Sequence, residues 1–249
     1  MKRTILTFAL ILVCILAQAQ KVNVAAAANL RYVLEDIKTS YVKVHPKAKV
    51  TLTFGSSGTL VQQILNGASF DFFMAADNEF PLKLKAEGVT VGKMVTYACG
   101  KLAIYSTTLD VKKGLAILKD PSVKRIAIAK PETAPYGERS VELLKKQGIY
   151  ESLKDKIVFG DNISQAAQFA FTGNAEIGFV ALSLALAPDM AGKGDYYIVP
   201  QKLYTPIEQA CILLKTAVWN TEASQFMKYV LSPATNTIWE KYGYSLPTK

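Results

Sequence analysis

Short β-branched or apolar runs alternate with amphipathic helical patterns along almost the whole chain, and this alternation restricts the fold more than any other feature. Strands that feed helices, which feed further strands, build parallel sheets with helices packed on both faces. Val22 to Ala27 reads as a first strand, followed by a helix from Leu30 to Val44 whose Leu30, Val33, Leu34, Ile37 and Tyr41 fall on one stripe. Pro46 ends that helix. Val50 to Phe54 supplies a second strand, Thr59 to Leu65 a second helix that stops at Asn66-Gly67, and Phe70 to Ala75 a third, buried strand.

A second unit repeats the logic. Strands are expected at Lys101 to Tyr105, Arg125 to Ala129, Lys156 to Phe159 and Ile177 to Val180, with helices at Gly137 to Gln147 and Ser164 to Thr172. After Ile207 come one more strand, through Cys211 to Leu214, and helices around Glu222 to Leu231 and Pro233 to Tyr242. No long Pro/Gly/Ser linker separates the units. Two lobes joined by strand-like crossovers, near residues 95–100 and 205–211, are therefore expected, with a ligand cleft between them. Lobe 1 then comprises residues 20–97 plus 208–249, and lobe 2 residues 98–207.

The first nineteen residues read as a leader. Lys2 and Arg3 precede an apolar run from Ile5 to Leu16, and Ala17-Gln18-Ala19 has the small-x-small form of a cleavage site. Cleavage near Ala19 and a periplasmic destination follow. The apolar run falls short of the roughly 20 residues that span a bilayer. Lipidation at Cys14 is disfavoured by bulky Val13 where a small residue is wanted. Loss of Lys2 and Arg3, with no acidic residue, lowers the formal charge from +9 to +7. The lysines are scattered, as at Lys43, Lys112, Lys145 and Lys154, which describes a solvated surface and argues against a nucleic-acid stripe. A diffuse positive field still speeds encounter with an anion. Cys99 and Cys211 remain after cleavage, and a disulfide and two free thiols are both open readings.

The chemistry concentrates where strands give way to helices. In open α/β sheets, ligands bind beyond the carboxyl ends of strands, where helix N-termini present unpaired N–H groups and the positive end of the helix dipole. Four segments have this form: Ala27 to Leu30, Phe54 to Thr59, Pro131 to Gly137, and Gly160 to Ser164. Asn29 is placed either to cap a helix or to donate its amide to a bound oxygen. The Gly55-Ser56-Ser57-Gly58 turn combines close backbone approach with two hydroxyls. Tyr136 carries a phenol hydrogen, and Ile163 offers only its backbone N–H. Neutral donors of this kind hold an oxyanion without lysine or arginine, each hydrogen bond to a charged acceptor contributing about 1.5–3 kcal/mol. They also discriminate. A fully deprotonated oxyanion accepts at every oxygen, whereas a protonated phosphate must donate and finds no acceptor. Asp161, beside one of the four segments, is the awkward neighbour for such a site.

At these residues the chain resembles the periplasmic molybdate-binding proteins of ABC importers. The resemblance runs through Val24 to Leu30, Phe54 to Leu60 with Gln63 and Ile64, Phe70 to Asp77, Ala134 to Gly137, Gly173 to Val180, and Trp239 to Tyr244. It implies an α/β, two-lobed periplasmic-binding-protein fold of type II, each lobe a mainly parallel sheet flanked by helices, joined by two crossover strands. Many members have serine where Asn29 stands, and a pocket tyrosine after the Gly-x-Val strand, where this chain has Ala181. A subgroup has asparagine at the first site and takes its tyrosine from the Pro-Tyr-Gly turn, as Tyr136 would provide. Carried over residue by residue, the ligand contacts are the Ala28 backbone, Asn29, Ser56 or Ser57, Tyr136 and the Ile163 backbone. The implied ligand is molybdate or tungstate, the implied partner is the membrane permease of an ABC importer, and a monomer without cofactor or metal is expected.

Two rival readings remain. A serine hydrolase using Ser56 or Ser57 lacks a Gly-x-Ser-x-Gly elbow, and the only histidine, His45, sits in a helix-ending His-Pro turn. A binding protein for sulfate or another oxyanion differs mainly in cavity size. An iron site built on Tyr196 and Tyr197 is disfavoured because adjacent strand residues point to opposite faces.

Overall fold

A computed structural model describes residues 21–247, so the leader expected at residues 1–19 lies outside the described residues. The chain forms β1 (Lys21–Ala27), a 3-10 turn (Ala28–Leu30) running into α1 (Arg31–Val44), β2 (Lys49–Gly55), α2 (Ser57–Leu65), β3 (Phe72–Met74), α3 (Glu79–Ala86) and β4 (Thr90–Gly100). It continues through β5 (Leu102–Ser106), β6 (Ile126–Ala129), α4 (Pro135–Lys146), α5 (Tyr150–Leu153), β7 (Ile157–Gly160), α6 (Ile163–Phe171), β8 (Ile177–Ala181), α7 (Leu182–Ala185) and β9 (Asp195–Ile198). It closes with β10 (Ile207–Leu214), α8 (Thr221–Val230) and α9 (Asn236–Lys241).

These strands make two five-stranded sheets of matching order, β2-β1-β3-β10-β4 and β7-β6-β8-β5-β9. In the first, β2, β1 and β3 are parallel and β10 runs antiparallel to both β3 and β4. In the second, β7, β6 and β8 are parallel and β5 runs antiparallel to both β8 and β9. Four strands of each sheet thus run one way and one runs against them. The reversed strand is in each case the one by which the chain arrives from the other sheet: β4 leads into β5, and β9 into β10.

The apolar run from Tyr97 to Tyr105, which reads as continuous in sequence, is divided between the sheets: β4 ends at Gly100, Lys101 is the step, and β5 begins at Leu102. Helix α3 escaped the pattern reading because only Pro81 and Leu84 of its eight residues are buried, too few to define a stripe. On α1 the stripe is complete. Leu30, Val33, Leu34, Ile37 and Tyr41 are each at most 1% exposed in the main core, and burial of each large apolar side chain contributes about 1.5–3 kcal/mol. Cys99 and Cys211 are free thiols, on β4 and β10. Their strands pair in a register that sets Cys99 opposite Glu208 and Cys211 opposite Val95, so the two cysteines do not face each other. Burial raises both thiols above their ordinary pKa. Among the described residues no helix is long and apolar enough to cross a membrane.

Candidate functional site

The two sheets face each other at the carboxyl ends of their parallel strands, around a small cavity of about 10 Å³. That is room for about one water-sized sphere, so the site suits only a ligand of few heavy atoms, far below the roughly 300–1,000 Å³ of clefts for drug-sized ligands. From the first sheet it is lined by Ala27, Ala28 and Asn29 beyond β1, Gly55, Ser56 and Ser57 beyond β2, and Ala76 beyond β3. From the second it receives Ala134, Pro135 and Tyr136 beyond β6, and Ile163 beyond β7. Ala28, Asn29, Ser56, Ser57, Tyr136 and Ile163, singled out in sequence, therefore line one cavity. No lining residue is charged.

Each helix start leaves N–H groups without intrahelical partners. Ser56 caps α2, its Oγ accepting from Thr59 N at 3.4 Å while its hydroxyl donates to Thr59 Oγ1 at 2.7 Å. Ser57 Oγ accepts from Ala76 N at 3.0 Å, so its hydroxyl hydrogen stays free to donate. The two serines therefore differ: the hydroxyl hydrogen of Ser56 is spent on the cap and that of Ser57 is not. At α6, Asn162 Oδ1 takes the N–H groups of Ser164 and Gln165, at 3.0 and 3.1 Å, and leaves that of Ile163. At α4, Pro135 occupies the first turn and no side chain caps the helix, so Tyr136 brings the first N–H.

Behind this wall lies a buried polar cluster. Asn29, 1% exposed, donates from Nδ2 to Gln209 Oε1 at 3.0 Å and to Tyr244 Oη at 2.8 Å. Its Oδ1 is buried with no hydrogen-bond partner. Gln209, on β10 and 0% exposed, donates from Nε2 to Tyr136 Oη at 3.1 Å, and Tyr97 Oη lies 2.9 Å from its Oε1. Tyr244 also bonds Asn29 O at 3.0 Å and Ser183 Oγ at 3.1 Å. Burial holds the phenols of Tyr97, Tyr136 and Tyr244 well above their ordinary pKa, so all three stay protonated at neutral pH. Gly100 is required here: a Cβ on it would stand 2.0 Å from Tyr136 Oη. Sequence reading missed Gln209. Its one signal is a polar side chain in a strand that is otherwise largely apolar.

Hydrogen bonds also join the two halves across the cleft. Gly58 N donates to Thr133 O at 2.9 Å, Ser164 Oγ to Ala28 O at 3.0 Å, and Ser183 Oγ to Asn29 O at 2.9 Å. Tyr32 Oη donates to Asp189 Oδ2 at 2.6 Å. A Cβ on Gly58 would meet Thr133 Cα and Phe80 Cζ at 2.9 Å, so glycine lets the halves approach this closely.

The nearby acids are kept out of the cavity. Asp161 turns outward, its side chain 69% exposed and paired with Lys130 at 2.6 Å. Asp77 follows Ala76 and is 8% exposed; burial lifts its carboxyl to about 6, although Oδ1 accepts from Phe80 N at 3.0 Å. His45 stacks on Tyr41, with ring centroids 4.2 Å apart, at the far end of α1 from Asn29. A fourteen-residue helix spans about 21 Å, so His45 cannot serve Ser56 or Ser57 as a base.

Residues 22–245 match the family model described as bacterial extracellular solute-binding protein. The chain is 42% identical over 232 residues to the molybdate-binding protein ModA of Azotobacter vinelandii, covering 92% of each chain. It is 40% identical to ModA of Rhodobacter capsulatus, over 92% of this chain and 89% of that one. Among solved structures, the periplasmic molybdate-binding protein of Azotobacter vinelandii superposes with a TM-score of 0.86 at 31% identity, over 91% of this chain and all of that one. A sulfate-binding protein of Mycobacterium tuberculosis, at 11% identity and a TM-score of 0.73, shares the fold alone. This chain belongs to the bacterial extracellular solute-binding protein family, in the branch that holds the molybdate-binding proteins.

Proposed function

We propose that the chain captures molybdate or tungstate in the cavity at the strand ends and delivers it to the membrane permease of an ABC importer. The observation that carries this reading is a small cavity lined by neutral donors and by no charged side chain. Ala28, Asn29, Ser56 or Ser57, Tyr136 and Ile163 are the ligand contacts. Five to seven hydrogen bonds at about 1.5–3 kcal/mol each offset the dehydration of a dianion. The donors favour a fully deprotonated oxyanion over hydrogen phosphate, which would need an acceptor. Residues 20–97 with 208–249 act as one lobe and 98–207 as the other, closing on the anion about the β4–β5 and β9–β10 crossovers. The protein works as a periplasmic monomer after cleavage near Ala19. It uses no cofactor and performs no catalysis.

A ligand panel on the purified mature protein tests this. Molybdate and tungstate at micromolar levels should raise the melting temperature, as a ligand that binds only the folded state does by mass action. Sulfate and phosphate should give smaller shifts at equal concentration. An equal or larger shift with either would overturn the assignment.

A further inference from the structure

Gln209 touches two residues of the cavity wall, one from each half of the site, without lining the cavity itself. Two faults mark the cluster around it. Asn29 presents an orphan oxygen where an oxyanion requires a donor, since its Nδ2 is turned away to Gln209 and Tyr244. Tyr97 has a single hydroxyl hydrogen but two acceptors within reach, Ala75 O at 2.7 Å and Gln209 Oε1 at 2.9 Å.

Reversing the carboxamides of Asn29 and Gln209 together removes both faults. The two branches of a carboxamide have nearly the same shape, so the exchange needs no repacking. Gln209 Nε2 then donates to Asn29 Oδ1 and to Tyr97 Oη, and Tyr97 gives its hydrogen to Ala75 O. Gln209 Oε1 accepts from Tyr136 Oη, and Tyr244 Oη turns its one hydrogen from Ser183 Oγ to Asn29 Oδ1, while Ser183 Oγ goes on donating to Asn29 O. Asn29 Nδ2 is left free for a ligand. We propose that Gln209 is the positioning residue of this site, holding the Asn29 carboxamide reversed so that Nδ2 donates to the bound oxyanion. The inference rests on the oxyanion-binding reading above.

With Oδ1 toward the cavity, the site would accept a hydrogen from a protonated oxyanion. With Oδ1 held outward by Gln209, only donors face the ligand. A glutamine on the crossover strand, bonded to both halves, thereby selects the deprotonated ligand.

The test is a double-mutant cycle read by calorimetry with molybdate, with the ligand-free melting curve of each variant as control. Gln209→Leu should weaken binding at least about tenfold, yet cost less than about twofold in an Asn29→Ala background, because its effect runs through Asn29. The same substitution should narrow the gap between molybdate and phosphate. Equal losses in both backgrounds would overturn the proposal, as would full affinity in Gln209→Leu. A readout on the unmodified protein stands beside the cycle. The Asn29 side-chain NH₂ resonance, assigned by comparison with Asn29→Ala, should shift and gain protection from solvent exchange when molybdate is added. No change with the site saturated would equally defeat the proposal. Wild-type protein that binds neither molybdate nor tungstate would instead defeat the functional reading from which it starts.

Discussion

The two halves of the site are built differently. The first sheet contributes side chains beside the Ala28 backbone: Asn29 on its buried cluster, and the two serines of the α2 turn. The second contributes backbone, through the helix starts that carry Tyr136 and Ile163. Side-chain donors make residue identity decisive in one half. Backbone donors make it nearly indifferent in the other, where the position of the helix start matters and the residue does not.

This contrast is open to direct attack. Asn29→Asp should have the largest effect, lowering molybdate affinity at pH 8 by about a thousandfold or more, since two like unit charges 4 Å apart already cost about 4 kcal/mol at intermediate dielectric. Calorimetry with affinity preserved would remove Asn29 from the site. Gly58→Ala comes next and separates closure from folding. The added methyl meets Thr133 Cα at 2.9 Å where the halves touch, and overpacking of about 1–3 kcal/mol corresponds to a loss of roughly 5- to 150-fold in affinity. Alanine is the better helix former, but its methyl also meets the Phe80 ring at 2.9 Å within the first half, so the ligand-free melting temperature should change far less than the affinity. A parallel fall in both would show that the contact serves folding alone. Ile163→Ala should do least, within about threefold in affinity, because the N–H survives the change. A loss as large as that at Asn29 would erase the distinction between the halves.

The same contrast explains what was legible in the sequence. Asn29, Ser56 and Ser57 stood out because their chemistry is written in their side chains. Ile163 was found only because a strand followed by Gly160-Asp161-Asn162 marks a capped helix start. Tyr136 drew attention for its phenol, which packs against Gly100 and is hydrogen-bonded to Gln209, and its place at the start of α4 supplies an N–H as well. Gln209 stayed hidden because its role depends on partners 73 and 180 residues away, which local pattern cannot bring together. The sheets were legible through their strand and helix periods, but the division of the Tyr97–Tyr105 run was not. A crossover between sheets keeps the backbone extended and apolar, and leaves no turn signal behind.

The reversed strands also set an order of assembly. Every strand of the second sheet falls within residues 102–198, so that sheet is complete in one continuous stretch of chain. The first sheet waits: β10 belongs between β3 and β4, and until residue 214 is available its two sides cannot join. Closing so long an intervening loop adds entropic cost and slows the step. For a chain made from its N-terminus, the half that is begun first is therefore finished last. Because β10 also carries Gln209, the strand that completes the fold brings the hydrogen bonds that orient Asn29, and a truncated or stalled chain would hold a finished second sheet beside a site with no working donor at its centre.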